Sequence, residues 1–253
     1  VNDLADYAAF RAALDGRKRV TVLGGGLIGC EFANDLAHAG FAVDVVHLGE
    51  WPLERLLPVE AGRRLADSLA ALGVTWHFGR SGKSVERTAN GYRIELDNGE
   101  AIEAEVVLSA IGLRPRTRLA QDAGIAAGRG IQVDALLQTS VPDVYALGDC
   151  AEVDGVNLPY VQPLMVQARA LAATLAGTPT PVVYPAMPVM VKTPAHPVAV
   201  LPPKPGAQGG WQVECGDSGV CALHVDAAGR LQGFALTGGE TGKRTALASA
   251  LAA

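Results

Sequence analysis

Residues 24–29 read Gly-Gly-Gly-Leu-Ile-Gly, which sets Gly24, Gly26 and Gly29 in a GxGxxG spacing. The spacing alone says little, but its context says more. An apolar run, KRVTVL at 18–23, precedes it, and LIGCEFANDLAHA at 27–39 follows with helical periodicity as far as Gly40. A glycine loop between a buried strand and a helix can cradle a pyrophosphate. The first glycine allows the tight turn, the second lets backbone approach the phosphates, and the third lets helix and strand pack closely. Leu27 and Ile28 open the helix, so its N-terminus faces the phosphates. The bland alternative, a glycine-rich turn with no ligand, fits this context poorly.

An acidic residue about twenty positions on should hold the adenosine ribose of a dinucleotide. The second strand ends Asp44-Val45-Val46-His47-Leu48-Gly49-Glu50. Asp44 lies mid-strand, too early. His47 stands where an acid is usual, and Glu50 follows in the loop. A neutral His can hydrogen-bond a ribose, and a protonated one tolerates a 2′-phosphate, so residue types leave NADH and NADPH both open.

A second group lies in TSVPDVYALGDC at 139–150. VYAL reads as a strand ending in Gly148-Asp149. The Asp can accept hydrogen bonds from sugar-alcohol hydroxyls while the Gly lets a ligand come close. About fifteen residues later a helix over 163–176 begins with Pro163 and Leu164. Its N-terminus could face the pyrimidine end of a flavin and stabilise the negative charge that reduction places there.

These residues need elements to position them. Periodicity predicts a helix over 1–16, strands at 18–23, 41–48 and 73–78, and helices at 27–39 and 59–72: a parallel sheet with covering helices. Strands at 92–97 and 101–108 flank Asn98-Gly99, a hairpin turn signal. SAIGLRPRTR then breaks the pattern, as a crossover between domains would. Short strands are expected at 131–133 and 144–147. After a Thr-Pro-rich joint at 177–185, alternating runs at 187–201 and 211–236 and a helix from about Gly242 read as a small antiparallel unit. The fold class is therefore α/β, with a Rossmann-like domain (parallel sheet plus antiparallel meander) and a small C-terminal α+β domain.

The totals narrow the function. The chain has 253 residues, 49% of them hydrophobic, and a formal net charge of −5. With no basic stripe it does not read as a nucleic-acid binder. Without a long apolar run or a signal peptide it reads as cytoplasmic, with no membrane partner. Cys30, Cys150, Cys215 and Cys221 include no CxxC pair, which argues against a disulfide framework, a zinc site or a thioredoxin-reductase-type dithiol. No metal ligand set and no acid–base catalytic pair is expected.

GLIGCEFANDLA, SAIGLRPRT, TSVPDVYALGDCAEVDG and PLMVQARALA resemble the FAD-dependent pyridine nucleotide–disulfide oxidoreductases, and within them the rubredoxin–NAD reductase branch. The resemblance runs from NDLADY to the VKTP segment. It implies a linker helix at 1–16, an NAD-binding domain at 17–107, the second part of a split FAD domain at 108–182 and a C-terminal domain at 183–253. The first part of the FAD domain, with its own phosphate loop, would precede residue 1, so this stretch alone is expected to hold FAD weakly. The resemblance also implies FAD and NAD as cofactors, with NADH preferred over NADPH, and rubredoxin or another one-electron iron protein as partner. It places Glu31 near the nicotinamide, Gly112 near the nicotinamide and flavin, Asp149 on the ribityl chain, backbone at Pro163 and Leu164 on the flavin pyrimidine, and Lys192 toward the isoalloxazine, although a solvated or domain-joining Lys fits position 192 as well. Arg114, Arg116 and Arg118 form a small basic run that could steer an acidic redox protein. Two other readings stand beside this one: a dinucleotide-binding module without turnover, and a flavoprotein reductase serving a ferredoxin or nitrite reductase.

Overall fold

The computed structural model describes residues 1–204 and 206–252, and of Ala252 the backbone only. The chain divides into two compact units, one formed by Val1–Gly112 with Pro188–Ala253, the other by Leu113–Met187.

In the first unit, α1 (Leu4–Ala13) starts at Asp3, whose carboxylate accepts the Asp6 N–H at 2.8 Å. Then follow β1 (Arg19–Leu23), α2 (Leu27–His38), β2 (Ala42–His47), α3 (Val59–Ala71) and β3 (Val74–Phe78). Next come β4 (Gly82–Thr88), β5 (Gly91–Leu96), β6 (Ala101–Ala104) and β7 (Val106–Ser109). The parallel sheet runs β3-β2-β1-β7. Val20, Val22, Val43, Val45, Val106 and Leu108 fill its core against α2 and α3.

Two differences from the sequence pattern have local causes. The run 101–108 is two strands, not one: β6 pairs with β5 in the antiparallel β4-β5-β6 sheet, and β7 pairs with β1. The switch is Glu105, whose carboxylate accepts the Lys18 and Arg19 N–H groups at 2.7 and 2.9 Å and so ties the chain to the start of β1. Strand β4, GKSVERT, carries no strand signal in the sequence because it is almost wholly exposed and lacks apolar alternation. The Asn98-Gly99 turn forms as expected, with Gly99 at φ 86° and the Leu96 N–H on the Glu100 carbonyl at 2.8 Å.

The C-terminal part of this unit adds β10 (Val189–Val191), β11 (Val198–Leu201), β12 (Gly210–Gly216), β13 (Gly219–Val225) and β14 (Leu231–Thr237), in the order β10-β11-β14-β13-β12. One face, with Val198, Val200, Val220, Ala222 and Ala235, shares a core with Leu65 and Leu69 of α3. The other, with Ala199, Cys221, Phe234 and Leu236, packs under α6 (Arg244–Ala252). This is the period-2 alternation of a sheet buried on both sides.

The second unit holds α4 (Arg118–Asp122), β8 (Ile131–Val133), β9 (Ala151–Val153) and α5 (Val161–Leu175), with β8 and β9 paired in parallel. VYAL at 144–147 is not a laddered strand. It makes one isolated bridge, Gln138 to Tyr145, and leads into a 3-10 turn at Gly148–Cys150.

Candidate functional site

The glycine loop leaves β1 and enters α2 as the spacing required. Gly24 lies at φ 110°, and a Cβ there would sit 2.6 Å from the Ala110 carbonyl oxygen of β7's end. A Cβ at Gly29 would overlap the Gly24 carbonyl oxygen. Both glycines are therefore required by packing within the chain. Gly26 differs: its φ is −81°, and a Cβ would meet nothing within 4 Å. It caps α2 without a side-chain bond, so the helix N-terminus presents bare N–H groups to open space.

His47, at the end of β2, turns toward this loop. Its Nδ1 accepts the Gly25 N–H at 3.1 Å, and its Nε2 faces the Trp51 carbonyl at 3.1 Å. Both ring nitrogens are thereby engaged inside the chain. Burial, as the main cause, holds the imidazole pKa below its usual value; Arg55 adds to this, while Glu54 and the Trp51 carbonyl oppose it. Glu50 is exposed in the loop beyond. The mid-strand acid Asp44 instead holds His77 at 2.7 Å.

The loop at 48–57 carries residues that the sequence pattern did not single out. Leu53, at φ 58°, donates its N–H to the Gly25 carbonyl at 2.9 Å. Trp51 packs on Gly62 of α3 and donates Nε1–H to the Leu57 carbonyl at 3.1 Å. Half-buried Arg80, just past β3, gives its N–H to the His47 carbonyl at 3.1 Å. The buried leucines of WPLERLLP were the available signal for this cover.

Further along α2, Glu31 accepts the Lys192 N–H at 2.8 Å, and Asn34 accepts the Ala195 N–H at 3.2 Å. Two candidate residues 161 positions apart are thus neighbours, joined through Lys192's backbone while its ammonium remains exposed. Cys30, in the same turn, is buried with its thiol pKa pushed far up by desolvation and, secondarily, by Glu31. It is a packing residue rather than a nucleophile.

The other group is gathered in the second unit. Gly148 lies at φ 82°, and its N–H bonds the Gln167 Oε1 at 2.6 Å; Gln167, 1% exposed, gives its Nε2–H to the Tyr184 hydroxyl at 2.7 Å. A Cβ at Gly148 would stand 3.1 Å from Leu164 Cδ1. The Gly148-Asp149 turn therefore rests on the first turns of α5, with Asp149 exposed and Pro163 buried at the third helical position. No side chain caps this helix N-terminus. Gly112, at φ 118° and exposed, ends the first unit.

All four cysteines are free. No helix among the described residues is long and apolar enough to cross a membrane.

Comparison with known proteins places the chain in a family. The family model described as pyridine nucleotide-disulphide oxidoreductase matches residues 1–173, and the one described as a rubredoxin binding C-terminal domain matches 181–251. The chain is 54% identical over 239 residues to a rubredoxin-NAD(+) reductase of Alcanivorax borkumensis, covering 94% of this chain and 63% of that protein. It is 48% identical over 248 residues to the rubredoxin-NAD(+) reductase of Acinetobacter baylyi, covering 96% and 63%. A ferredoxin reductase structure from Rhodopseudomonas palustris superposes with a TM-score of 0.83 at 25% identity, over 93% of this chain and 60% of that one. The chain thus spans about 63% of the length of these curated relatives.

Proposed function

The chain belongs to the pyridine nucleotide-disulphide oxidoreductase family, and from that premise we propose that the protein carrying this sequence is an NADH-dependent flavoprotein reductase with rubredoxin as its electron acceptor. The observation that carries the nucleotide half is Gly26. Neither its backbone angles nor its packing calls for glycine, so the requirement lies outside the chain, in a group that approaches the loop closely. A pyrophosphate at the bare N-terminus of α2 meets it.

When bound, NADH supplies a hydride and FAD accepts it, releasing electrons singly. The chain's own residues bind and orient. Gly24 and Gly29 shape the loop, Gly26, Leu27 and Ile28 would present N–H groups to the phosphates, and the exposed Glu50 in the loop after β2 would serve as the acid for the ribose, which favours NADH over its 2′-phosphorylated form. Glu31 would lie near the nicotinamide, and Gly112 near the nicotinamide and the flavin. Asp149 accepts hydrogen bonds from the ribityl hydroxyls, and the uncapped start of α5 at Pro163 and Leu164 favours negative charge on the flavin pyrimidine. Lys192, tied by its backbone to Glu31, offers a cation on the same side of α2. The domain scheme of 17–107 for NAD, 108–182 for part of FAD and 183–253 for the acceptor side belongs to the same reading, as does a cytoplasmic setting.

The rubredoxin half rests on the family match at 181–251. The test is spectroscopic. FAD-loaded protein is mixed with NADH and either oxidised rubredoxin or a plant-type ferredoxin, and bleaching of the iron–sulfur bands is followed. Rubredoxin should be reduced faster, with NADH outperforming NADPH. Equal rates on both acceptors would remove the assignment of the partner, and absence of NADH-dependent bleaching would remove the reductase reading.

A further inference from the structure

His47 stands where a ribose-binding acid is usual, yet both of its ring nitrogens are spent inside the chain. We propose that His47 is a positioning residue whose neutral ring clamps the glycine loop in its coenzyme-binding shape, so that NADH affinity is lost when the ring is protonated. The inference rests on the glycine loop being the NAD site.

The geometry allows one neutral tautomer. Nδ1 faces an N–H donor, Gly25, and must carry the lone pair; Nε2 faces an acceptor, the Trp51 carbonyl, and must carry the proton. The ring also packs on the loop: a Cβ at Gly25 would sit 2.9 Å from His47 Cγ. This accounts for three glycines in a row, each for a different reason. Gly24 clears Ala110, Gly25 clears the imidazole, and Gly26 clears nothing in the chain. The Gly25 carbonyl in turn accepts the Leu53 N–H at 2.9 Å, so His47, itself held by the Trp51 carbonyl, and Leu53 grip the peptides on either side of Gly25.

An imidazolium has two donors and no acceptor. Protonation would set Nδ1–H against the Gly25 N–H, and the clamp would open next to the phosphate-binding N–H groups. The charged groups around the ring are Glu54 and Arg55 of the covering loop, with opposite effects; Glu50 lies on the same loop, and from the β3 side Phe78 stands edge-on at 6.4 Å with the half-buried Arg80 beyond it. Burial decides the balance toward the neutral ring. The folded-state pKa is thus depressed below the ordinary value of about 6.5. The clamp is complete above that value and is lost as pH falls through the folded pKa.

The test uses this chain with His47→Asn and His47→Phe. Asn places an amide oxygen where Nδ1 stands and does not titrate; Phe keeps the ring and loses both bonds. Nitrogen-15 NMR of the unliganded chain should show His47 with Nδ1 bare and Nε2 protonated. Calorimetric NADH binding from about pH 8 to about pH 5 should weaken by roughly tenfold in the parent chain, the size of one lost buried N–H bond. His47→Asn should bind without that acid limb, and His47→Phe should bind weakly at every pH. In the flavin-loaded protein the same dependence should fall on KM for NADH and spare kcat. The opposite tautomer, or an acid limb that survives in His47→Asn, would overturn the clamp while leaving NADH binding intact. Failure of the parent chain to bind NADH at any pH would overturn it together with the reading of the loop.

Discussion

Two glycines of one loop make opposite predictions. Gly29 is packed so that a Cβ would overlap the Gly24 carbonyl, whereas a Cβ at Gly26 has open space. Gly29→Ala must push α2 away from β1 and should cost about 1–3 kcal/mol, as overpacked sites do. Gly26→Ala should leave the thermal midpoint unchanged and weaken NADH binding by about tenfold or more, because the methyl group stands where backbone meets pyrophosphate. Calorimetry for the coenzyme and a thermal melt for the fold separate the two. If Gly26→Ala bound NADH as tightly as the parent chain, the phosphates would not be at this loop. The spacing 24-26-29 was legible in the sequence because Gly24 and Gly29 answer steric demands of strand–loop–helix geometry and Gly26 stands where a phosphate group would approach. The task of His47 was not legible, since it depends on where the covering loop folds back and on Leu53 taking a φ of 58°, which no local pattern announces for a leucine.

At the scale of elements, the Gly148-Asp149 turn is held by two side chains: Asn157 donates to the Asp149 and Ala151 carbonyls at 2.9 and 2.8 Å, and Gln167 takes the Gly148 N–H. Gln167 joins the Gly148 N–H to the Tyr184 hydroxyl from inside the second unit. Gln167→Leu keeps much of the volume and strands both partners, a loss of about 2 kcal/mol. Hydrogen exchange of the α5 amides should report that loss, and FAD affinity should fall with it, because the Asp149 turn loses its seat on the helix. Unchanged exchange would mean that Asn157 and β9 hold the turn without Gln167. Elements with strong periodicity, α2, α3, β1 and β2, were readable from residue types. The exceptions share a cause: pairing is settled by partners that sequence does not display. Residues 101–108 divide at Glu105 because the start of β1 offers two N–H groups to its carboxylate. VYAL, apolar enough for a strand, finds no extended neighbour and stays a single bridge.

For the whole molecule, the question is whether residues 188–253 are an appendage or part of the body that carries the glycine loop. They belong to the same compact unit as residues 1–112. Val198, Val200, Val220, Ala222 and Ala235 share their core with Leu65 and Leu69 of α3, and Arg64 of α3 donates to the Gly216 carbonyl at 2.7 Å. Glu31 and Asn34 of α2 hold the backbone of Lys192 and Ala195. A fully buried leucine contributes about 1.5–3 kcal/mol, so uncovering Leu65 and Leu69 would remove several kcal/mol from a body whose net stability is about 5–15 kcal/mol. A chain ending at residue 187 should therefore lose amide protection in α3, melt lower and associate through the bared face, with NADH binding weakened although every loop glycine is present. A truncated chain with an unchanged melt and a protected α3 would show that the sheet is a detachable module. If instead α3 loosens, the segment matched as a rubredoxin binding domain is built onto the helix that follows the covering loop at 48–57, and whatever docks on it meets the body that carries the glycine loop as one rigid surface.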